Sequence, residues 1–128
     1  MIEIRPVKEP DHATIAQLLH QQLSAYYPDI TQMPAVWRDF IDQSGIHCRV
    51  AVVEGCLVGF GALLVEVKIR GGRLGHIEDI VVAADARKAG IGRAILQELC
   101  TIAAAEGCYK VSLACAAVSY THLSPRDS

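Results

Sequence analysis

The 128-residue chain has no excess of one charge: 12 Lys and Arg stand against 14 Asp and Glu, for a net charge of -2. Binding nucleic acid through its phosphates takes a basic surface, so no nucleic-acid partner is expected. No apolar run approaches the length of a membrane span, and the N-terminus has a charged strand pattern in place of a signal peptide. These absences predict a cytoplasmic protein without a membrane partner. Internal repeats and low-complexity tracts are also lacking, and 52% hydrophobic residues exclude a disordered tail. The length suits one domain with one core. The cysteines, at 48, 56, 100, 108 and 115, are odd in number, show no CxxC spacing and mostly sit among apolar residues. They predict reduced core thiols, with neither a metal site nor a disulfide framework.

What is present centres on Arg87-Lys88-Ala89-Gly90-Ile91-Gly92, set between the strand-like Gly75-His76-Ile77-Glu78-Asp79-Ile80-Val81-Val82 and a helix-like stretch. A Gly-punctuated turn that opens a helix directs free backbone N–H groups and the positive end of the helix dipole at one point, which suits a phosphate or pyrophosphate. Glycine at 90 and 92 permits unusual dihedrals and close ligand approach, and Arg87 and Lys88 add charge. Two familiar phosphate loops do not fit. A P-loop ends in Gly-Lys-Ser/Thr, whereas Gly92 is followed by Arg93-Ala94; the dinucleotide fingerprint needs Gly or Ala at 95, which is Ile95, and an acidic residue near 113–114, where Leu113-Ala114 stand.

Period and punctuation order the rest. Ile2-Glu3-Ile4-Arg5 alternates like a strand, and Asp11 is placed to cap a helix carrying Ile15, Leu18, Leu19 and Leu23. Ala35 to Gln43 predicts a short helix stopped by Ser44-Gly45. Strands follow at 47–53, 57–69 and 74–82, divided by turns at Glu54-Gly55 and Gly71-Gly72 into an antiparallel meander. Helix 92–106 carries Ile95, Leu99 and Ile102 or Ala103 on one face and ends at Gly107; strand 109–115 alternates Val111, Leu113 and Cys115.

The Arg-x-x-Gly-x-Gly turn resembles the pyrophosphate loop of the Gcn5-related N-acetyltransferase (GNAT) superfamily. The flanks Gly75-His76-Ile77-Glu78-Asp79-Ile80-Val81-Val82 and Gly107-Cys108-Tyr109-Lys110-Val111 are similar to its glucosamine-6-phosphate N-acetyltransferase branch, at the same separation. The resemblance implies an α/β (α+β) acyl-CoA acyltransferase fold, a mixed, mostly antiparallel sheet flanked by helices. It further implies that the strand at 75–82 and the strand at 109–115 run parallel and splay apart. Acetyl-CoA would enter that wedge as co-substrate, its pyrophosphate at Arg87, Lys88, Ala89, Gly90, Ile91, Gly92 and Arg93. The pantetheine arm would pair with the backbone of Ile80, Val81 and Val82, with a backbone N–H near Ile80 polarising the thioester carbonyl.

Transfer to an amine needs the acceptor ammonium deprotonated. Residues two apart on a strand share a face, which groups His76 with Glu78 and sends Asp79 to the other side. The resemblance ranks Glu78 first as base or amine anchor and His76 second; the structural alternatives are a packed or surface His76 and a solvated Glu78. It gives Asp79 a supporting role, with its backbone carbonyl open to the acceptor's amine. Lys68, Arg70 and Arg73 beside the Gly71-Gly72 turn read as solvated hairpin charges, with a sugar phosphate as the alternative. Tyr26, Tyr27 and Trp37 belong either to the core or to an acceptor wall.

After 115 the chain departs from the family. An Asp at the position of Ala114, a cofactor-binding Asn and a thiolate-protonating Tyr are not in place, Tyr120 stands three residues early, and Val118 to Ser128 shows no apolar period. The expectation is an incomplete acetyltransferase domain over 1–115 with the last strands missing and a non-family tail over 116–128. Three functions follow: an acetyl-CoA-dependent N-acetyltransferase of a small-molecule amine such as an amino-sugar phosphate, a protein N-acetyltransferase, or a truncated non-catalytic acyl-CoA-binding domain. A homodimer is left open.

Overall fold

Strand propensity and helical stripes resolve into three layers. The computed structural model describes residues 1–22, 31–115 and 118–123, without the side chains of Lys88 and of residues from 114 onward. The strands are β1 (Ile2–Pro6), β2 (Ile46–Val53), β3 (Cys56–Val67), β4 (Arg73–Val82), β5 (Cys108–Cys115) and β6 (Val118–Leu123). They form one sheet in the order β1-β2-β3-β4-β5-β6, antiparallel throughout except for the parallel pair β4–β5. Helices α1 (His12–Gln22) and α2 (Met33–Ile41) cover one face, and α3 (Ile91–Ala105) covers the other. Tyr26 and Tyr27 lie outside the described residues. No described helix is long and apolar enough to cross a membrane.

Each face has its own apolar core. Ile91, Ile95, Leu99 and Ala103 recur every four residues along α3 and pack on Ala51, Leu63, Val65, Ile77 and Val111. Opposite, Ile15, Leu18, Met33 and Trp37 cover Val50, Phe60, Ala62 and Val81. Val111 and Leu113 share the α3 face as alternation predicts. Gly59 and Gly61 of β3 lie under α3: a Cβ built on Gly61 would stand 2.6 Å from Ile95 Cγ2 and 3.1 Å from Leu99 Cδ1. Their bare backbone lets the helix sit close to the sheet.

Three local expectations change. Asp11 does not cap α1 with its side chain; it closes a 3₁₀ turn at Glu9–Asp11, accepting from the Lys8 N–H at 2.8 Å and pairing with Arg5 at 2.8 Å, and α1 simply continues that turn. The Arg5 hydrogen bond holds Asp11 below the usual carboxylate range. The second helix starts two residues before the expected Ala35, because Pro34 fits the first turn of a helix, where its missing N–H is not needed. Beyond residue 115, where no strand is expected, Val118–Leu123 pairs antiparallel with β5, from Val111↔Leu123 to Cys115↔Val118. An edge strand offers unpaired N–H and C=O groups that any following extended segment satisfies, with or without an apolar period.

Cys48, Cys100 and Cys108 are buried, as expected of core cysteines, and desolvation pushes Cys48 up to about 12. Cys56 is exposed at the β2–β3 turn, and the Cys115 side chain lies outside the described set.

Candidate active site

The β4 sequence is regular up to Glu78 and then breaks step. Ala62 pairs with Glu78, but Phe60 pairs with Val81, so Gly61 alone faces both Asp79 and Ile80. This is a β-bulge, and Asp79 takes a left-handed φ of +57°. Asp is among the few non-glycine residues that adopt this conformation readily. The extra residue moves everything after it to the opposite face. Ile80 and Val82 therefore pack with the α3 core, while Val81 joins the α1–α2 core. Strict alternation would have grouped Ile80 with Glu78. The pairing of His76 with Glu78 on one face precedes the bulge and stands, whereas the alternation that sends Asp79 to the other side does not apply to a left-handed residue.

The bulge coincides with the end of pairing to β5. Parallel contacts run to Ile77↔Leu113 and stop, so Glu78 to Val82 have no β5 partner, while β5 continues beside β6. Two parallel strands thus diverge around a wedge. On its other edge β4 stays paired with β3, a ladder that the Ala83 N–H extends by donating to the Val58 carbonyl at 2.7 Å. Among the described residues no strand pairs with Ile80 to Val82 on the wedge side.

The wedge leads into a 3₁₀ segment, Ala84–Ala89, and then into α3. Gly90 caps the helix at φ +76°, its carbonyl accepting the first intrahelical bond from the Ala94 N–H at 3.0 Å. No side chain caps this N-terminus, and no acidic residue lies in its first turn. The N–H groups of Ile91, Gly92 and Arg93 are the ones such a terminus leaves without helical partners. A Cβ on Gly90 would meet nothing within 4 Å, and one on Gly92 only Val82 Cγ2 at 3.6 Å, so open space lies over the turn. Arg87, Ala89 and Arg93 are exposed, and Ile91 is buried in the core. The turn, the wedge and the free edge of β4 therefore form one continuous chain segment, suited to an anion bearing an extended arm. Acetyl-CoA has that shape, and the residues present fit it.

Around the bulge Glu78 and Asp79 are exposed and His76 is partly buried. Protein packed around the Asp79 carboxyl desolvates it although the residue as a whole is open, and this, followed by the Glu78 charge, raises Asp79 above the usual range. His76 is not isolated: its Nε2 lies 2.9 Å from Glu66 Oε1 on β3. The same oxygen is 3.2 Å from Lys68 Nζ. Sequence reasoning missed Glu66, because the contact depends on the register that sets Leu64 opposite His76. Of the hairpin cations, Lys68 is paired with Glu66 and Arg73 with Glu106 at 3.5 Å, which leaves Arg70 without an ion pair among the described residues. Trp37 is a core residue, 7% exposed and tilted against Phe40 at 5.7 Å. It also lines a cleft of about 300 Å³ with Val7, Lys8, Glu9, Arg38 and Ile41, none of which belongs to β4 or to the turn.

Comparison with known proteins agrees with this geometry. The acetyltransferase (GNAT) family model matches residues 13–121. A glucosamine 6-phosphate N-acetyltransferase of Trypanosoma brucei brucei is 37% identical over 117 residues, 88% of this chain and 78% of that protein. A probable glucosamine 6-phosphate N-acetyltransferase 2 of Oryza sativa subsp. japonica is 37% identical over 123 residues, 89% of this chain and 74% of its own length. The crystal structure of glucosamine-6-phosphate N-acetyltransferase from Arabidopsis thaliana is similar with a TM-score of 0.78 at 25% identity, covering 90% of this chain and 82% of that one.

Proposed function

This chain belongs to the acetyltransferase (GNAT) family, and from that premise we propose that it moves the acetyl group of acetyl-CoA to the primary amine of an amino-sugar phosphate, glucosamine 6-phosphate. The observation that carries the reading is the wedge, opened where β4 bulges at Asp79 and leaves β5, and ending at the uncapped start of α3. Acetyl-CoA supplies the thioester carbonyl as electrophile. The N–H groups of Ile91, Gly92 and Arg93 receive its pyrophosphate, with Arg87 and Lys88 supplying charge from the turn. Ile80, Val81 and Val82 bind the pantetheine arm through backbone alone, as an added strand would be bound. The bulge frees a backbone N–H near Ile80 to polarise the carbonyl.

Glu78 faces the acceptor from the strand just before the bulge. Its carboxylate anchors the incoming ammonium or takes its proton, and His76 stands behind it on the same face. Asp79 holds the bulge, and its backbone carbonyl accepts from the acceptor's amine.

Thiol release from acetyl-CoA over an amine panel tests the reading. Glucosamine 6-phosphate is expected to be the best acceptor, and Glu78→Gln is expected to lower kcat by about 10²-fold or more with coenzyme A affinity nearly intact. A panel in which no amino sugar raises thiol release above the water rate would overturn it.

A further inference from the structure

We propose that Glu66 is a positioning residue of the transfer site: it fixes Nε2 as the protonated nitrogen of the His76 ring and so leaves the Nδ1 lone pair to accept the proton of the acceptor's ammonium. This rests on the acetyltransferase reading above and divides the labour between the two strand residues. Glu78 draws the ammonium in, and His76 takes its proton.

The β3–β4 hairpin brings the two side chains together. Leu64 pairs with His76 and Glu66 with Leu74, so Glu66 and His76 are diagonal neighbours on one face of the sheet, within reach of long side chains. The 2.9 Å contact uses that reach. An ionised carboxylate accepts hydrogen bonds and cannot donate, so the hydrogen in this contact belongs to Nε2. Glu66 is kept ionised: the His76 hydrogen bond, and after it Lys68, hold it below the usual carboxylate range. A neutral imidazole with hydrogen on Nε2 has its basic lone pair on Nδ1. Glu78 follows two residues later on the same face, about 6–7 Å along the strand. The pair is also accessible, with side chains 29% and 45% exposed for His76 and Glu66.

The ammonium gives one proton to Nδ1, directly or through water, and becomes a neutral amine, while His76 becomes an imidazolium whose added charge faces the Glu66 carboxylate. The amine's freed electron pair forms the new C–N bond at the thioester carbonyl carbon as the C–S bond breaks; the nitrogen sheds its second proton, the departing thiolate takes one up from solvent, and the imidazolium returns its proton to solvent, so that one proton is released overall.

The experiment combines ring ¹⁵N spectra of His76 with kinetics, on the full chain with coenzyme A present. In the unmodified protein the neutral ring is expected as the Nε2–H tautomer, and in Glu66→Ala as a mixture of tautomers. Glu66→Ala is expected to lower kcat about three- to tenfold, the worth of one hydrogen bond, with no change in coenzyme A affinity. Glu66→Gln retains a carbonyl acceptor and is expected to recover most of the rate. In a His76→Ala background the Glu66 substitution is expected to cost nothing further. An unchanged tautomer in Glu66→Ala, an equal loss in the His76→Ala background, or a Gln variant no better than Ala would each overturn the proposal. Should no amine support turnover at all, the function above fails, and the tautomer comparison still decides whether Glu66 sets the ring.

Discussion

Gly90 and Gly92, two positions apart in the sequence, have different reasons to be glycine. Gly90 has φ +76°, where a side chain is strained even though a Cβ there would meet nothing within 4 Å. Gly92 is helical, and its Cβ would make only an ordinary contact with Val82. Gly90→Ala is therefore expected to destabilise the fold by about 1–2 kcal/mol. Gly92→Ala is expected to raise stability by about 0.5–1 kcal/mol through helix propensity. If the pyrophosphate approaches the backbone at 92, this gain accompanies a loss of ligand: Gly92→Val is expected to weaken coenzyme A binding at least tenfold, about 1.4 kcal/mol. Calorimetric titration beside thermal melts checks both quantities. Unchanged affinity in a folded Gly92→Val protein would make the turn a helix start and nothing more.

At the scale of the element, β4 is one strand with two faces exchanged at Asp79. The pKa of Asp79 is raised by desolvation first and by Glu78 second. Its folded-state value therefore exceeds its unfolded value, near 3.9, and between the two the folded protein binds more protons. Stability from this group is full below the unfolded pKa and declines as pH rises through the folded one. Asp79→Asn removes the titration and keeps a residue that accepts the left-handed conformation. It is expected to flatten the decline in melting temperature across that window and to raise the melting temperature above it, by a small amount because the residue as a whole is open and solvent screens its charge. Asp79→Val keeps the titration absent but cannot relax at φ +57°, and it is expected to cost about 1–3 kcal/mol. Melts from acid to neutral pH separate the two effects. Equal pH slopes in the Asn variant and the parent would show that Asp79 carries no linkage.

For the whole molecule, the tight seat of α3 on the sheet joins the core to the candidate site, since the same helix presents its uncapped N-terminus at one end and the Ile91-Ile95-Leu99-Ala103 stripe along its length. Gly61 lies at the junction, opposite the bulge and beneath Ile95 and Leu99, with Ile80 Cγ1 3.2 Å from its notional Cβ. Ile95 is fully buried and has no room to yield. Gly61→Ala is expected to destabilise by about 1–3 kcal/mol through overpacking. Displacing α3 also displaces its first turn, so coenzyme A affinity is expected to fall together with stability, unlike in Gly92→Ala. Urea unfolding read alongside coenzyme A titration distinguishes the two, and a Gly61→Ala protein of unaltered stability would mean that the helix has slack over the sheet.

The order of the elements as far as β5, the apolar stripe of α3, the Gly90–Gly92 turn and the kinship that follows from it are legible in the chain alone. Each of these is local: a periodicity, a cap or a breaker acts on residues a few positions away, and such signals survive without knowledge of what lies opposite. Only the tertiary structure decided where β4 changes face, because a bulge at Asp79 is a relation between two residues of one strand and one residue, Gly61, of another. The same holds for Glu66 and His76, ten residues apart, which meet only because the hairpin register makes them diagonal neighbours. It holds too for β6, whose place comes from the open edge of β5 and not from any pattern of its own. Local signals name the segments of a site; pairing across strands fixes which side chains face each other within it.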